Sequence, residues 1–164
     1  MPELRTQIEG VVTECCVELF SHYGVAIKPS EHSSDSNLAY CAIIGFTGND
    51  MRGSLLLACS SEPLTLAGEN VHGIRDWLAE LANQMLGRIK NRLLALGTVI
   101  YATTPIILRG EHLAPLDDQP RPQLFRANGG VLSVWFDVDV LSDLELAATP
   151  DVSASVREGE TLLF

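Results

Sequence analysis

Basic residues are scarce in this chain. Lys and Arg number 11 against 21 Asp and Glu in 164 residues, a formal net charge of −10. Polyanion binding depends on Lys and Arg displacing counterions, so nucleic acid and anionic lipid surfaces are excluded as main partners. No run approaches the roughly 20 apolar residues of a membrane span. The opening Met1-Pro2-Glu3-Leu4-Arg5 has no basic patch followed by an apolar core, so no secretory signal is expected. The four cysteines, Cys15, Cys16, Cys41 and Cys59, form no C-x-x-C or Cys/His pattern. Zinc is therefore not expected, and the thiols read as reduced in a cytoplasmic protein. G-x-S-x-G, G-x-x-x-x-G-K-[ST] and G-x-G-x-x-G are all missing. What remains is 46% apolar residues, enough for the core of one domain.

Along the chain, Leu4, Ile8, Val11, Val12, Cys15, Cys16, Leu19, Phe20 and Tyr23 recur in steps of three and four. This predicts an amphipathic helix over 4–23, with Gly24 as its C-cap. Residues 28–37 are polar and read as a loop or irregular edge. Two apolar runs, 38–47 and 54–59, flank Gly48-Asn49-Asp50 and predict a hairpin. Ser60-Ser61-Glu62-Pro63 reads as the start of a short helix ending by Gly68. A long second helix is predicted over 71–96, stopped by Gly97. A strand over 99–108 follows, broken at Thr104-Pro105, and then a loop over 110–121. Residues 123–127 and 131–140 flank Asn128-Gly129-Gly130 as a second hairpin, with Val134, Phe136, Val138 and Val140 on its buried face. The fold class is α+β: an antiparallel sheet with two long helices on one face. The order helix, hairpin, helix, hairpin suggests pseudo-duplicated units, although no sequence repeat proves it. The domain spans 1–140, and 141–164 is an acidic tail or closing element.

The second helix is the informative one. With Ile74 set at zero, Leu78, Leu81, Met85, Ile89 and Leu96 fall within about 60° of it at ~100° per residue. Asp76, Glu80, Asn83, Gly87 and Lys90 lie opposite, between about 160° and 240°. Asparagine and glycine are both poor residues inside a helix, glycine costing about 1 kcal/mol against alanine. A glycine on an outward face leaves room for another surface to come close. From spacing alone, the pattern is a docking face of undefined chemistry.

Glu80-Leu81-Ala82-Asn83, Gly87 and the run Arg88-Ile89-Lys90-Asn91-Arg92-Leu93 closely resemble the signature helix of the CheC/CheX/FliY chemotaxis phosphatases, roughly E-L-x-N-x-x-x-G-x-x-K. Gly45-Phe46-Thr47-Gly48 leading into Gly53-Ser54-Leu55-Leu56-Leu57 resembles the family's central hairpin. Thr104-Pro105-Ile106-Ile107-Leu108-Arg109-Gly110 resembles its strand after the signature helix. The likeness spans about 5–140. Family members with two active helices carry E-x-x-N twice; here Glu9, Glu14 and Glu18 are followed three positions on by Val12, Val17 and Ser21. The match is to the single-site, CheX-like arrangement, which the resemblance implies is a homodimer pairing through sheet edges. Gln84 stands where the family often has an apolar residue.

The resemblance implies a phosphatase for the aspartyl phosphate of a CheY-like response regulator. Asn83 would orient the attacking water, and Glu80 would anchor to the regulator's lysine. Gly87 and Lys90 are assigned to docking. No cofactor of its own is expected; Mg²⁺ would sit on the phosphorylated regulator. The alternative is a non-catalytic scaffold or regulator-binding module of the same fold, since fold does not fix function. A Ser/His/Asp hydrolase built from His32, Ser33, Ser34 and Asp35 is disfavoured, because neighbours in one polar loop cannot form a triad. His22, His72 and His112 are scattered and read as solvated or structural.

Overall fold

The computed structural model describes residues 2–31, 37–63, 73–116, 121–127, 129–141 and 143–147. Helix α1 (Pro2–His22) is followed by strands β1 (Lys28–Ser30), β2 (Tyr40–Gly48) and β3 (Met51–Cys59). Helix α2 (Gly73–Ala95) precedes β4 (Ile100–Ala102), β5 (Ile106–Arg109), β6 (Gln123–Ala127) and β7 (Gly130–Val140). All strand pairings are antiparallel, in the order β1-β6-β7-β3-β2-β4, and β5 also pairs with β2. That order is a palindrome. Exchanging β1, β2 and β3 for β4, β6 and β7 reproduces it reversed, so two helix–strand–hairpin units are related by a pseudo-two-fold axis between β3 and β7.

The helix ends carry the same duplication. After α1, the N–H of Val25 donates to the carbonyl of Phe20 and that of Gly24 to Ser21. After α2, Thr98 donates to Leu93 and Gly97 to Leu94. Both are Schellman motifs, which need a left-handed residue at the turn; Gly24 has φ 75° and Gly97 φ 97°. Both glycines stand where the sequence pattern predicts them.

One core joins both helices to one face of the sheet. It includes Ile8, Val12, Cys16, Leu19 and Phe20 from α1, Leu78, Leu81, Met85, Ile89 and Leu93 from α2, and Ala42, Ile44, Leu55, Leu57, Leu132 and Val134 from the strands. All four cysteines are buried and free. Burial pushes the Cys15 thiol up to about 12 and Cys41 up to about 11, with Cys16 and Cys59 also raised. None has the character of a reactive thiolate.

Two details depart from the sequence reading, and two segments it left open take one of their alternatives. Of the two readings of 28–37, loop or irregular edge, Lys28–Ser30 takes the edge: it is a strand against β6, its partners are supplied by distant residues, and Pro29 is tolerated because this is a sheet edge. Trp135 is buried on the helix-free face, packed with Cys41 and Ala58 beneath Leu38 and Leu113. Alternation on β7 therefore fails near its start, where a loop covers the second face. Ile74 is 40% exposed, because the buried stripe of α2 is centred further round, on Trp77, Leu78, Leu81, Met85, Leu86 and Ile89. Beyond β7, Leu144 and Leu146 pack on the core, and the N–H of Ala147 donates to the Leu96 carbonyl. Of the expected short helix, 61–63 is helical; its remainder and Asn128 lie outside the described residues.

Gly53 sits mid-sheet between Phe46 of β2 and Val138 of β7. A Cβ there would overlap the Asp137 carbonyl oxygen and come within 2.9 Å of the Phe46 ring, which is itself stacked on Phe136 with centroids 4.9 Å apart. Gly53→Ala is expected to cost about 1–3 kcal/mol, as overpacking does, read by urea unfolding. Unchanged stability would show that the sheet yields here.

Candidate functional site

Helix α2 owes its orientation to burial. Trp77, Leu78, Leu81, Ala82, Met85, Leu86, Ile89 and Leu93 are covered by the sheet and α1. At about 100° per residue, the opposite side must then face solvent, and Asp76, Glu80, Asn83 and Gly87 are all exposed. Glu80 and Asn83, one turn apart, emerge together. Lys90 is half-buried, with Nζ 5.7 Å from the ring centroid of the exposed Tyr101 on β4. All the predicted site residues thus lie on one ridge, with Lys90 at its sheet-side end.

The carboxylate and the carboxamide differ in their ties. Gln84 Nε2 donates to Glu80 Oε1 at 2.7 Å, and the Tyr23 hydroxyl, from the end of α1, donates to Gln84 Oε1 at 2.8 Å. No described residue hydrogen-bonds the Asn83 side chain. Gly87 is open: a Cβ there would meet nothing within 4 Å. Its missing side chain is not required by packing among the described residues.

The acids of α1 have other occupations. Glu18 accepts from Arg92 at 2.5 Å and lies 3.9 Å from Arg88; Glu14 is 3.9 Å from Arg92. Glu9 pairs with Arg5 at 2.9 Å. The contacts of Glu14 and Glu18 run in opposite senses along the two helices, which are therefore antiparallel, and they form the seam between them. Counting back from the two glycine caps, Gln7 and Gly10 hold on α1 the places that Glu80 and Asn83 hold on α2. The α1 half of the pseudo-symmetric pair carries no acid–carboxamide couple at these places.

A ridge cannot enclose a small molecule. An apolar groove of about 400 Å³ lies elsewhere, lined by Leu4, Ile8, Gln123, Val134, Phe136 and Val140. Among the described residues no three His, Cys, Asp or Glu side chains gather to hold a metal ion, and no helix is long and apolar enough to cross a membrane. His22 and His112 are exposed and far apart in the chain; His72 and the residues from His32 to Asp35 lie outside the described residues. Glu80 and Asn83 stand open on this convex side of the helix. Spacing in the sequence located this pair. It overlooked Gln84 and Tyr23: the first was signalled by its position four residues from Glu80, the second by nothing local.

CheX- and CheC-like chemotaxis proteins are structural neighbours of this chain and share its fold. CheX from Vibrio vulnificus superposes with a TM-score of 0.68 at 14% identity, covering 80% of this chain and 96% of that one. CheX from Desulfovibrio desulfuricans gives 0.65 at 17% identity, covering 81% and 99%. CheX in the CheX–CheY–BeF3–Mg²⁺ complex from Borrelia burgdorferi gives 0.55 at 16%, covering 77% and 96%. No protein-family model matches the sequence, and comparison with curated proteins returns no match. At these identities the likeness establishes the fold.

Because its Cβ position is open, Gly87→Ala is expected to stabilise the protein by about 1 kcal/mol, measured by thermal or urea unfolding. A loss of stability would mean that packing, rather than an outside surface, holds glycine at this position.

Proposed function

We propose that this protein hydrolyses the aspartyl phosphate of a CheY-like response regulator, with the outer ridge of α2 inserted into the regulator's phosphorylated pocket. The observation that carries the reading is the exposed Glu80–Asn83 pair on a convex surface, with the Asn83 carboxamide unengaged by any described residue. A neighbour of the same fold forms a complex with CheY, BeF3 and Mg²⁺, which supports a CheY-like partner.

The chemistry fits the residues. An acyl phosphate is already activated, and the regulator contributes its own Mg²⁺ and lysine. What it lacks is a water held in line with the phosphorus. A carboxamide both accepts and donates hydrogen bonds, so Asn83 holds that water, as carboxamides do in other phosphoryl transfers. The gain is one of orientation. Being neutral, Asn83 also does not repel the phosphoryl oxygens as a carboxylate would. Glu80 accepts from the regulator's lysine, a charge-assisted bond that strengthens once water is excluded. Gly87 lets the partner's surface come close, and Lys90 borders the contact. Such a protein acts in the cytoplasm, where response regulators reside.

A homodimer is part of the same reading. β4 and β5 form one edge of the sheet, and Tyr101, Ile106 and Leu108 on it are 52%, 62% and 41% exposed. An apolar edge of this kind is a template for pairing with a second copy. Ile106→Glu is expected to shift the protein from dimer to monomer in sedimentation velocity; a native protein already monomeric at tens of micromolar would contradict the dimer.

Phosphate release from an acetyl-phosphate-charged regulator tests the activity. Asn83→Ala is expected to keep binding while losing about a hundredfold in rate. Glu80→Ala is expected mainly to weaken the complex. Full activity in Asn83→Ala would overturn the proposed role of that residue, and a complex that forms with no phosphate release from the native protein would leave docking without catalysis.

A further inference from the structure

The geometry points to Gln84 and Tyr23 as positioning residues for the Glu80 carboxylate, so that the helix without an active pair of its own sets the affinity of the one that has it. The inference rests on the proposed docking of Glu80 with a regulator's lysine.

The relay begins in the core. Trp77 is buried and meets Tyr23 edge-on, with ring centroids 4.8 Å apart at 84°. That contact fixes the half-buried tyrosine ring, whose hydroxyl donates to Gln84 Oε1 at 2.8 Å. Gln84 Nε2 then donates to Glu80 Oε1 at 2.7 Å. The sense of the chain is set by chemistry. Ionised Glu80 can only accept, so the amide nitrogen of Gln84 must face it. The amide oxygen is thereby turned to Tyr23, whose hydroxyl must donate. A carbonyl that accepts a hydrogen bond makes its own N–H the better donor, so the links reinforce one another.

The consequence for docking is selective. An exposed glutamate samples many rotamers, and ordering it on binding opposes association. Here the carboxylate is held in advance from one side. Only Oε1 is engaged; Oε2 has no partner among the described residues and keeps its lone pairs for an incoming ammonium group. Asn83 stands outside the relay. Loss of the relay should therefore weaken the complex without slowing the chemical step.

A double-mutant cycle separates this from a general structural effect. The native protein, Gln84→Met, Tyr23→Phe, Glu80→Ala and the two double variants are titrated with a CheY-type regulator charged with BeF3 and Mg²⁺. Turnover is followed separately at saturating phosphorylated regulator. Gln84→Met is expected to raise Kd about five- to tenfold, within the range for the net worth of an ordinary hydrogen bond, and to leave kcat within about twofold. In the Glu80→Ala background the same change is expected to move Kd less than about twofold. Tyr23→Phe removes a single oxygen, preserves the ring contact with Trp77, and should reproduce the pattern at smaller size; it carries the cycle if Gln84→Met does not fold. Equal losses in both backgrounds, or a fall in kcat with Kd unchanged, would overturn the inference. So would a Kd indifferent to Gln84 and Tyr23 while Glu80→Ala is weakened, and in that case the docking reading would stand. If Glu80→Ala itself bound normally, the docking role of Glu80 would fall together with the relay.

Discussion

The burial of one side of α2 is the constraint on which the rest depends. Leu78, Leu81, Met85, Ile89 and Leu93 are each fully covered, and a helix so anchored cannot rotate without exposing that surface. The backbone of its outer ridge is consequently held in place by the core beneath it. Glu80 and Asn83 need no pocket walls of their own to be well placed; the sheet and α1 provide their rigidity from behind. Convex side chains can orient a water or meet a cation only when a concave surface closes over them.

The two halves of the fold share architecture but divide the labour. The palindromic strand order and the matched Schellman caps relate α1 to α2 closely. Yet the acids of α1 are spent elsewhere: Glu14 and Glu18 meet Arg88 and Arg92 across the seam, and Glu9 pairs along its own helix. Exposed pairs of this kind add little stability individually. Their effect is on placement, because they register one helix against the other and so keep Tyr23 beside Gln84. The first helix supports the ridge without duplicating it.

Much of this was legible in the sequence, for identifiable reasons. Helical periodicity located both helices, Gly24 and Gly97 marked their ends, and Asn49-Asp50 and Gly129-Gly130 marked the hairpins, since each signal is local and steric. The same arithmetic that buried Leu81 and Met85 turned Glu80 and Asn83 outward. What escaped was non-local. β1 exists because β6 lies beside it, Trp135 is covered because Leu38 and Leu113 cross the far face, and Ile74 is exposed because the packed stripe is centred further round the helix. The Tyr23–Gln84–Glu80 chain joins residues that only the antiparallel packing of the helices brings together.

The most direct test of the account is a residue-resolved map of the surface that a regulator touches. Amide resonances of the isotope-labelled protein, including the side-chain NH2 of Asn83, would be followed by NMR as a CheY-type regulator carrying BeF3 and Mg²⁺ is added. The account expects shifts concentrated on Glu80, Asn83, Gly87 and their neighbours, with Gln7 and Gly10 on the pseudo-equivalent helix left unmoved. Shifts confined to α1 or to the helix-free face of the sheet, with the Asn83 side chain undisturbed, would contradict it.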